Sequence, residues 1–280
     1  MRLSVVIPAF NAAATIRRQL ESLLAQEYDG EWEIVVADNR STDATASIVE
    51  ACAGGDVPVR RIAAPEHQGS AHARNVGVAA ARGTLIAVTD ADDVVAPGWV
   101  RAMALALERY PCVGGRIVPA GTSDIRQVAE GLHSAFHFLP FPIGANCAFR
   151  REVFERLGGF DVSFHPACDD VEFFWRAQLE GFELGYAPNA VVHYTLRSGD
   201  DGEIRQMHGY ATQHPRLFAK FGAHGMPRSS LRLAARDWAW IVAQTIPSRR
   251  DPARLHLWRS RIAMRWGRAR GSLQNRVLYL

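Results

Sequence analysis

The stretch Gly83–Asp93, GTLIAVTDADD, joins two kinds of chemistry. Leu85, Ile86, Ala87 and Val88 form an apolar run of the sort that fills a strand buried on both faces. Asp90, Asp92 and Asp93 follow at once, three carboxylates within four positions. Like charges that close repel, and beside a core the cost rises, so something of opposite charge must offset them. Where this strand stands among its neighbours decides both the fold and the place of the chemistry.

Toward the N-terminus the same alternation recurs. Leu3–Ile7 is a short apolar run closed by Pro8 and Asn11, and Thr15–Gln26 carries Ile16, Leu20, Leu23 and Leu24 on one helical face. Glu33–Asp38 (EIVVAD) is a second buried strand, followed by a helix over 41–52 with Ser41, Thr42 and Asp43 as candidate N-caps. Val57–Ala63 suggests a third strand, and Ser70–Gly83 an Ala-rich helix stopped at Gly83. Strands alternating with helices predict an α/β fold, a mostly parallel sheet with helices on both faces. Ligands of such sheets bind beyond the carboxyl ends of the strands. That rule puts Pro8-Ala9-Phe10-Asn11, Asp38 and Asp90–Asp93 on one rim.

The second half is less regular. Residues 141–161 read as a strand or loop leading into a helix that ends at Gly158-Gly159. Asp169–Phe182 is an amphipathic helix with Val171, Phe174 and Leu179 toward the core, and Tyr186–Tyr194 a strand with His193 near its end. There is no internal repeat and no low-complexity segment.

At 280 residues, with 48% apolar and 22% charged side chains, the chain suits a soluble globular protein of one large α/β domain or two modest ones. The opening residues lack the pattern of a secretory signal, and no run of 18 apolar residues occurs. Cys52, Cys112, Cys147 and Cys168 contain no CxxC pair and are expected as reduced thiols. The expected location is the cytoplasm or the inner face of the cell membrane. The net charge of +3 hides an asymmetry: residues 1–215 carry 18 Arg against 27 Asp and Glu, residues 216–280 carry 13 Arg and one Lys against two Asp.

Taken alone, D-x-D at a strand end can hold a divalent cation, serve a phosphotransferase, or form a capped, solvated turn. Hard oxygen ligands suit Mg²⁺ or Mn²⁺. A phosphotransferase would place its nucleophilic Asp after the first strand, which ends instead in PAFN.

The order VVIPAFN, EIVVADNRSTD, GSAHARNVGVAAARGTLIAVTDADD, GANCAFRREVFERLGGFD, DDVEFFWRAQLEGF and AVVHY resembles a bacterial, inverting family 2 glycosyltransferase of the GT-A fold, over roughly residues 3–197. The resemblance implies nucleotide-sugar contacts from Pro8, Ala9, Phe10, Asn11, Asp38, Arg74, Asp90, Ala91 and Asp92, with Asn75 beside Arg74 in the family's A-R-N element. A carboxylate accepting from uracil N3–H is sound chemistry for a uridine site; the alternatives are a helix cap for Asn11, a turn for Asp38 and a solvated ion pair for Arg74. The resemblance also implies that Asp92, with Asp90 and His193, holds Mn²⁺ or Mg²⁺, with Asp93 in an outer or capping role. Asp170 would be the catalytic base beside Asp169, which stands where the family usually has Glu. Two other departures are Arg40, in place of a small residue, and Phe10, in place of Tyr. The segment 112–145, with His133, His137 and Phe138, is expected to face the acceptor.

The expected organisation is a catalytic domain over 1–215, with a nucleotide-sugar half (1–95) and an acceptor half (96–215), and a basic helical appendage over 216–280. The expected function is transfer of a sugar from a nucleoside-diphosphate sugar, UDP-linked by preference, to a hydroxyl of a lipid-linked or soluble acceptor. A non-catalytic nucleotide-binding scaffold is the alternative. In the appendage, 229–246 and 253–270 read as amphipathic helices, and Leu255, Trp258, Ile262 and Trp266 recur beside several Arg. That surface suits an anionic membrane, a contact with the catalytic domain or a dimer contact, and no nucleic-acid motif accompanies it.

Overall fold

Apolar runs with no polar face need cover on both sides, and the computed structural model, which describes residues 3–121, 130–195, 200–247 and 251–280, gives them that. The chain runs through β1 (Leu3–Ala9), α1 (Ile16–Leu24), β2 (Trp32–Asp38), α2 (Thr45–Ala51), β3 (Val59–Ala63), α3 (Ser70–Ala80) and β4 (Leu85–Thr89). It continues through β5 (Val94–Val95), α4 (Trp99–Arg109), β6 (Cys112–Pro119), β7 (Asn146–Arg150), α5 (Arg151–Leu157), α6 (Asp169–Leu179) and β8 (Leu184–Tyr194). β2 and β4 are buried along their whole length.

One eight-stranded sheet has the order β3-β2-β1-β4-β7-β6-β8-β5. β1 to β4 are mutually parallel, β6 and β8 are parallel to each other, and β7 and β5 run against their neighbours. The chain winds outward from β1 to β3, then returns through α3 to β4 on the other side of β1. The strand order therefore reverses between β1 and β4, and ligands of such sheets bind in the crevice beyond the carboxyl ends there. α1 and α4 close this region from one side: Ile16, Leu20, Leu23, Trp99, Met103 and Leu107 share a core cluster with Val5, Ile34 and Ala87. Leu179, expected in the core, is 41% exposed at the end of α6, whereas Val171 and Phe174 are buried. None of the four cysteines is in a disulfide, and three of them are buried.

The chain divides into two compact units. The first comprises Met1–Ser134, Leu139–His165 and Asp169–Leu196, the second Ala135–Phe138, Pro166–Cys168 and Arg197–Leu280. In the second, α7 (Asp200–Phe221) leads to α8 (Leu231–Ala243) and α9 (Pro252–Asn275). The expected boundary at 215/216 falls inside α7, which runs on as one helix through Pro215. Asp251 caps α9, accepting from the Ala253 N–H at 2.9 Å, and Pro252 opens its first turn. α8 is tied to α9 by Trp258, whose indole N–H donates to the Ile241 carbonyl at 2.9 Å, and by an ion pair between Arg265 and Asp237. Among the described residues no helix is long and apolar enough to cross a membrane.

Candidate active site

The strand-end turn after β4 is pinned from α1. Gln19, fully buried, donates to the Thr89 hydroxyl at 2.9 Å and to the Asp90 carbonyl at 3.2 Å, and accepts from the Val95 N–H at 3.3 Å. One amide side chain thus fixes both ends of the D-A-D-D turn, a role for which the sequence holds no motif.

Within that turn Asp90, Asp92 and Asp93 each offer a carboxylate oxygen, and these oxygens all lie within 4.8 Å of one another. Asp93 is fully buried. Its Oδ1 accepts from the Thr195 N–H at 2.8 Å, while its Oδ2 has no hydrogen-bond partner. Burial, then the charges of Asp90 and Asp92, push the Asp93 carboxyl up to about 8, against the pull of the Thr195 N–H and Arg18. Three carboxylates with hard oxygens in this space, one of them with a buried oxygen that has no partner, fit a divalent cation such as Mg²⁺ or Mn²⁺. His193 stands outside this group, opposite Val94 across β5 and β8 and opposite Val118 across β6 and β8.

Arg74, buried in α3, joins the cluster to a second acidic pair. Its guanidinium donates through Nη2 to Asp90 Oδ1 at 3.0 Å and through Nη1 to Asp169 Oδ2 at 2.6 Å. Burial alone would make this guanidinium easier to deprotonate; the charges of Asp169, Asp90 and Asp170 outweigh it and raise its pKa. Asp169 and Asp170 open the first turn of α6, where the helix dipole favours carboxylates. The Ser70 hydroxyl donates to Asp169 Oδ1 at 3.3 Å. Asp170 Oδ2 accepts from the Gly144 N–H at 2.7 Å and Oδ1 from the Val171 N–H at 2.8 Å. Burial and the neighbouring Asp169 charge raise the Asp170 carboxyl to about 6, with Arg74 and the two backbone donors acting the other way.

On the β1 side of the crevice, Pro8 and Ala9 finish the strand, paired with Ala37 and Asp38. Asn11 (φ 47°) accepts from the Thr42 N–H at 2.8 Å and donates its own N–H to the Ser41 hydroxyl at 3.0 Å. Asp43 accepts from the Ala13 N–H at 2.9 Å. These bonds clamp the loop after β1 to the loop after β2 and leave Phe10 half exposed above them. Asp38 is buried and supports that loop from below, accepting from the Ser41 N–H at 3.1 Å and from Arg61 at 3.2 Å. Arg40 sits at φ 70°, a left-handed conformation that disfavours side chains by about 1–2 kcal/mol.

Ala91 is buried within the acidic turn, and Asn75 exchanges two 2.8 Å hydrogen bonds with the backbone of Phe160. His133 pairs with Phe141 in the first unit; His137 and Phe138 belong to the second. The structure therefore gathers Asp90, Asp92, Asp93, Arg74, Asp169 and Asp170, and adds Gln19 and Gly144 to them.

Similarity to known proteins bears on the family and the fold. A profile described as Glycosyl transferase family 2 matches residues 4–158, and one described as Glycosyl transferase family group 2 matches residues 85–259. The chain is 44% identical over 224 residues to the succinoglycan biosynthesis protein ExoO of Rhizobium meliloti (strain 1021), an alignment covering 72% of this chain and 63% of that protein. It spans less than two thirds of the length of the curated relatives it matches first, 63% of ExoO and 24% of the uncharacterized glycosyltransferase YfnE of Bacillus subtilis (strain 168). Among solved structures it is similar to the mannosyltransferase PcManGT from Pyrobaculum calidifontis in complex with GDP-Man and Mn²⁺, with TM-score 0.69 and 25% identity over 98% of this chain and 86% of that one. It also shares its fold with S. aureus TarS 1–349 in complex with UDP-GlcNAc, with TM-score 0.57 and 18% identity over 100% of this chain and 93% of that one. The α/β sheet is the GT-A fold, and the chain belongs to glycosyl transferase family 2.

Proposed function

We propose that this chain transfers a sugar, with inversion, from a nucleoside-diphosphate sugar to an acceptor hydroxyl. The observation that carries the reading is the buried Arg74 bridge, which ties the carboxylates at the end of β4 to the acidic pair opening α6. A donor-side acidic cluster and a base-side carboxylate are thereby held in one register, as a single displacement requires.

In this reading Asp90 and Asp92, with Asp93 beside them, would hold Mn²⁺ or Mg²⁺, and His193, on the strand paired with Val94, would be a further ligand. When bound, the cation neutralises charge growing on the departing diphosphate. The half-exposed Phe10 offers a face to the nucleotide base, while Pro8, Ala9, Asn11, Asp38 and Ala91 set the loops around it. Asp170 takes the proton from the acceptor oxygen as it attacks the anomeric carbon. An alcohol is far less acidic than any carboxylic acid, so the proton moves late and positioning supplies much of the rate. The Gly144 and Val171 N–H groups hold Asp170 in place, and Asp169 works through Arg74.

A UDP-sugar is the donor we expect. Similarity to ExoO supports an acceptor hydroxyl on a growing envelope glycan, lipid-linked or soluble. The test is calorimetric titration of UDP, GDP, dTDP and CDP, each with and without Mn²⁺. Tight binding of one nucleotide only with metal supports the donor site, and no binding by any of them overturns it. Binding without transfer to any hydroxyl acceptor would leave a non-catalytic scaffold.

A further inference from the structure

We infer that one face of α9 is a docking surface for an anionic lipid bilayer, on which the helix lies flat.

The face is defined by what the other two sides of the helix do. α7 packs against the small residues of α9: a Cβ on Gly267 would stand 2.7 Å from the His208 carbonyl oxygen, and one on Gly271 2.2 Å from that of Thr212. α8 takes the side that carries Trp258, Arg261 and Arg265, through the Ile241 carbonyl, the Trp240 ring at 4.2 Å and Asp237. Between them a third stripe looks outward, with Leu255, Ile262, Trp266 and Leu273 recurring at helical spacing. Arg259 and Arg270 interrupt the same stripe. Trp266 is 62% exposed and Leu273 82%, although neither side chain gains anything from water. The stripe is about 27 Å long at 1.5 Å per residue. It is flanked by an open cleft of about 380 Å³, with Ile204, Arg205 and His208 on the α7 wall and Trp258, Ile262 and Trp266 on the α9 wall.

Charge selects the occupant. Residues 216–280 carry 14 basic side chains against two Asp; Arg259 and His256 are paired with Asp201 and Glu203 of α7, whereas Arg270 is exposed at the edge of the stripe. A second copy docked face to face would bring the exposed Arg270 of each copy against the other's basic surface, since a two-fold contact uses the same patch twice. An anionic bilayer meets both requirements: headgroups take the guanidinium groups, and the indole and leucine side chains enter the interface. The inference does not depend on the donor-site reading.

The test is sedimentation of the full chain with phosphatidylcholine vesicles, with and without phosphatidylglycerol. Phosphatidylglycerol should increase the bound fraction by about tenfold or more, and Trp266→Ser combined with Leu273→Ser should reduce it by a similar factor. Melting temperature should not change, because both side chains are exposed. Absence of wild-type binding, or equal binding by the variant, overturns the proposal. So does self-association that the variant loses without vesicle binding, which would assign the face to a second copy. If the variant melts early, quenching of wild-type Trp fluorescence by brominated phosphatidylglycerol decides instead; no quenching overturns the proposal. Nucleotide titration of the same preparation keeps failure here separate from failure of the donor site.

Discussion

A Cβ placed on Gly144 would stand 2.6 Å from Nη2 of Arg74 and 2.9 Å from its Cζ, closer than such contacts come. The same residue donates its N–H to Asp170 at 2.7 Å. One glycine thus holds the base carboxylate with its backbone and makes room for the bridging guanidinium by lacking a side chain. Gly144 is not in a left-handed conformation, so alanine can adopt its backbone. Gly144→Ala should push the Arg74 guanidinium off its two carboxylates, lowering stability, and lose about 10²-fold in kcat, the scale expected of a misplacement near 1 Å. An unchanged kcat would dissociate Gly144 from the site.

Removing the guanidinium should be felt in stability as well as rate. Arg74→Met leaves Asp169, nearly inaccessible to solvent, without its counter-charge, at a cost of about 3–5 kcal/mol. Arg74→Lys keeps a charge but not the planar fork that reaches two carboxylates at once. Urea denaturation should therefore rank wild type above Lys above Met, while kcat of the Lys variant falls nearly as far as that of Met. A Lys variant with wild-type kcat would show that a point charge suffices.

Which parts of this were legible in the sequence follows from which residues face the core on both sides. β1, β2 and β4 read directly, because strands covered on both faces are near-continuous apolar runs, broken here only by Ser4, Glu33 and the polar residues at the strand ends. β6 does not, since Gly114 and Gly115 interrupt CVGGRIVP. The reason is tertiary: Leu132 and Pro142 fill the space of one missing Cβ, and Ala190 and Asn146 that of the other. α7 is likewise masked by Gly202, Gly209 and Pro215. α4 carries a plain helical period in Trp99, Val100, Met103 and Leu107, but no motif draws attention to it. In the site, the acidic residues stand in motifs, whereas Gln19, Gly144 and the burial of Asp93 arise only when distant segments meet.

The acidic cluster should show itself in metal-dependent stability. Asp93 is raised to about 8, so without metal at neutral pH it is largely protonated and Asn is a near match for it. Asp93→Asn should melt close to wild type in metal-free buffer yet gain less from added Mn²⁺, because a carboxylate that a cation could ionise is gone. Asp92→Ala should abolish the Mn²⁺-dependent part of nucleotide binding. Equal Mn²⁺-induced melting shifts in all three proteins would place the ion elsewhere.

Asp170 gives the pH dependence a definite sign. Its carboxyl is raised from an ordinary 3.8 to about 6, first by burial and then by the charge of Asp169. As base it must be ionised, so kcat/KM should fall about tenfold per unit as pH drops below about 6. Its contribution to stability runs the opposite way. Between about 6 and 3.8 the folded state holds a proton that the unfolded state does not, so this group stabilises the fold progressively as pH falls through that window. Asp169→Asn removes the like charge and leaves Arg74 nearby, both of which favour the ionised form, so the acid limb should move to lower pH. Acidic limbs at the same pH in the two proteins would mean that the group titrating in the profile is not the carboxyl beside Asp169.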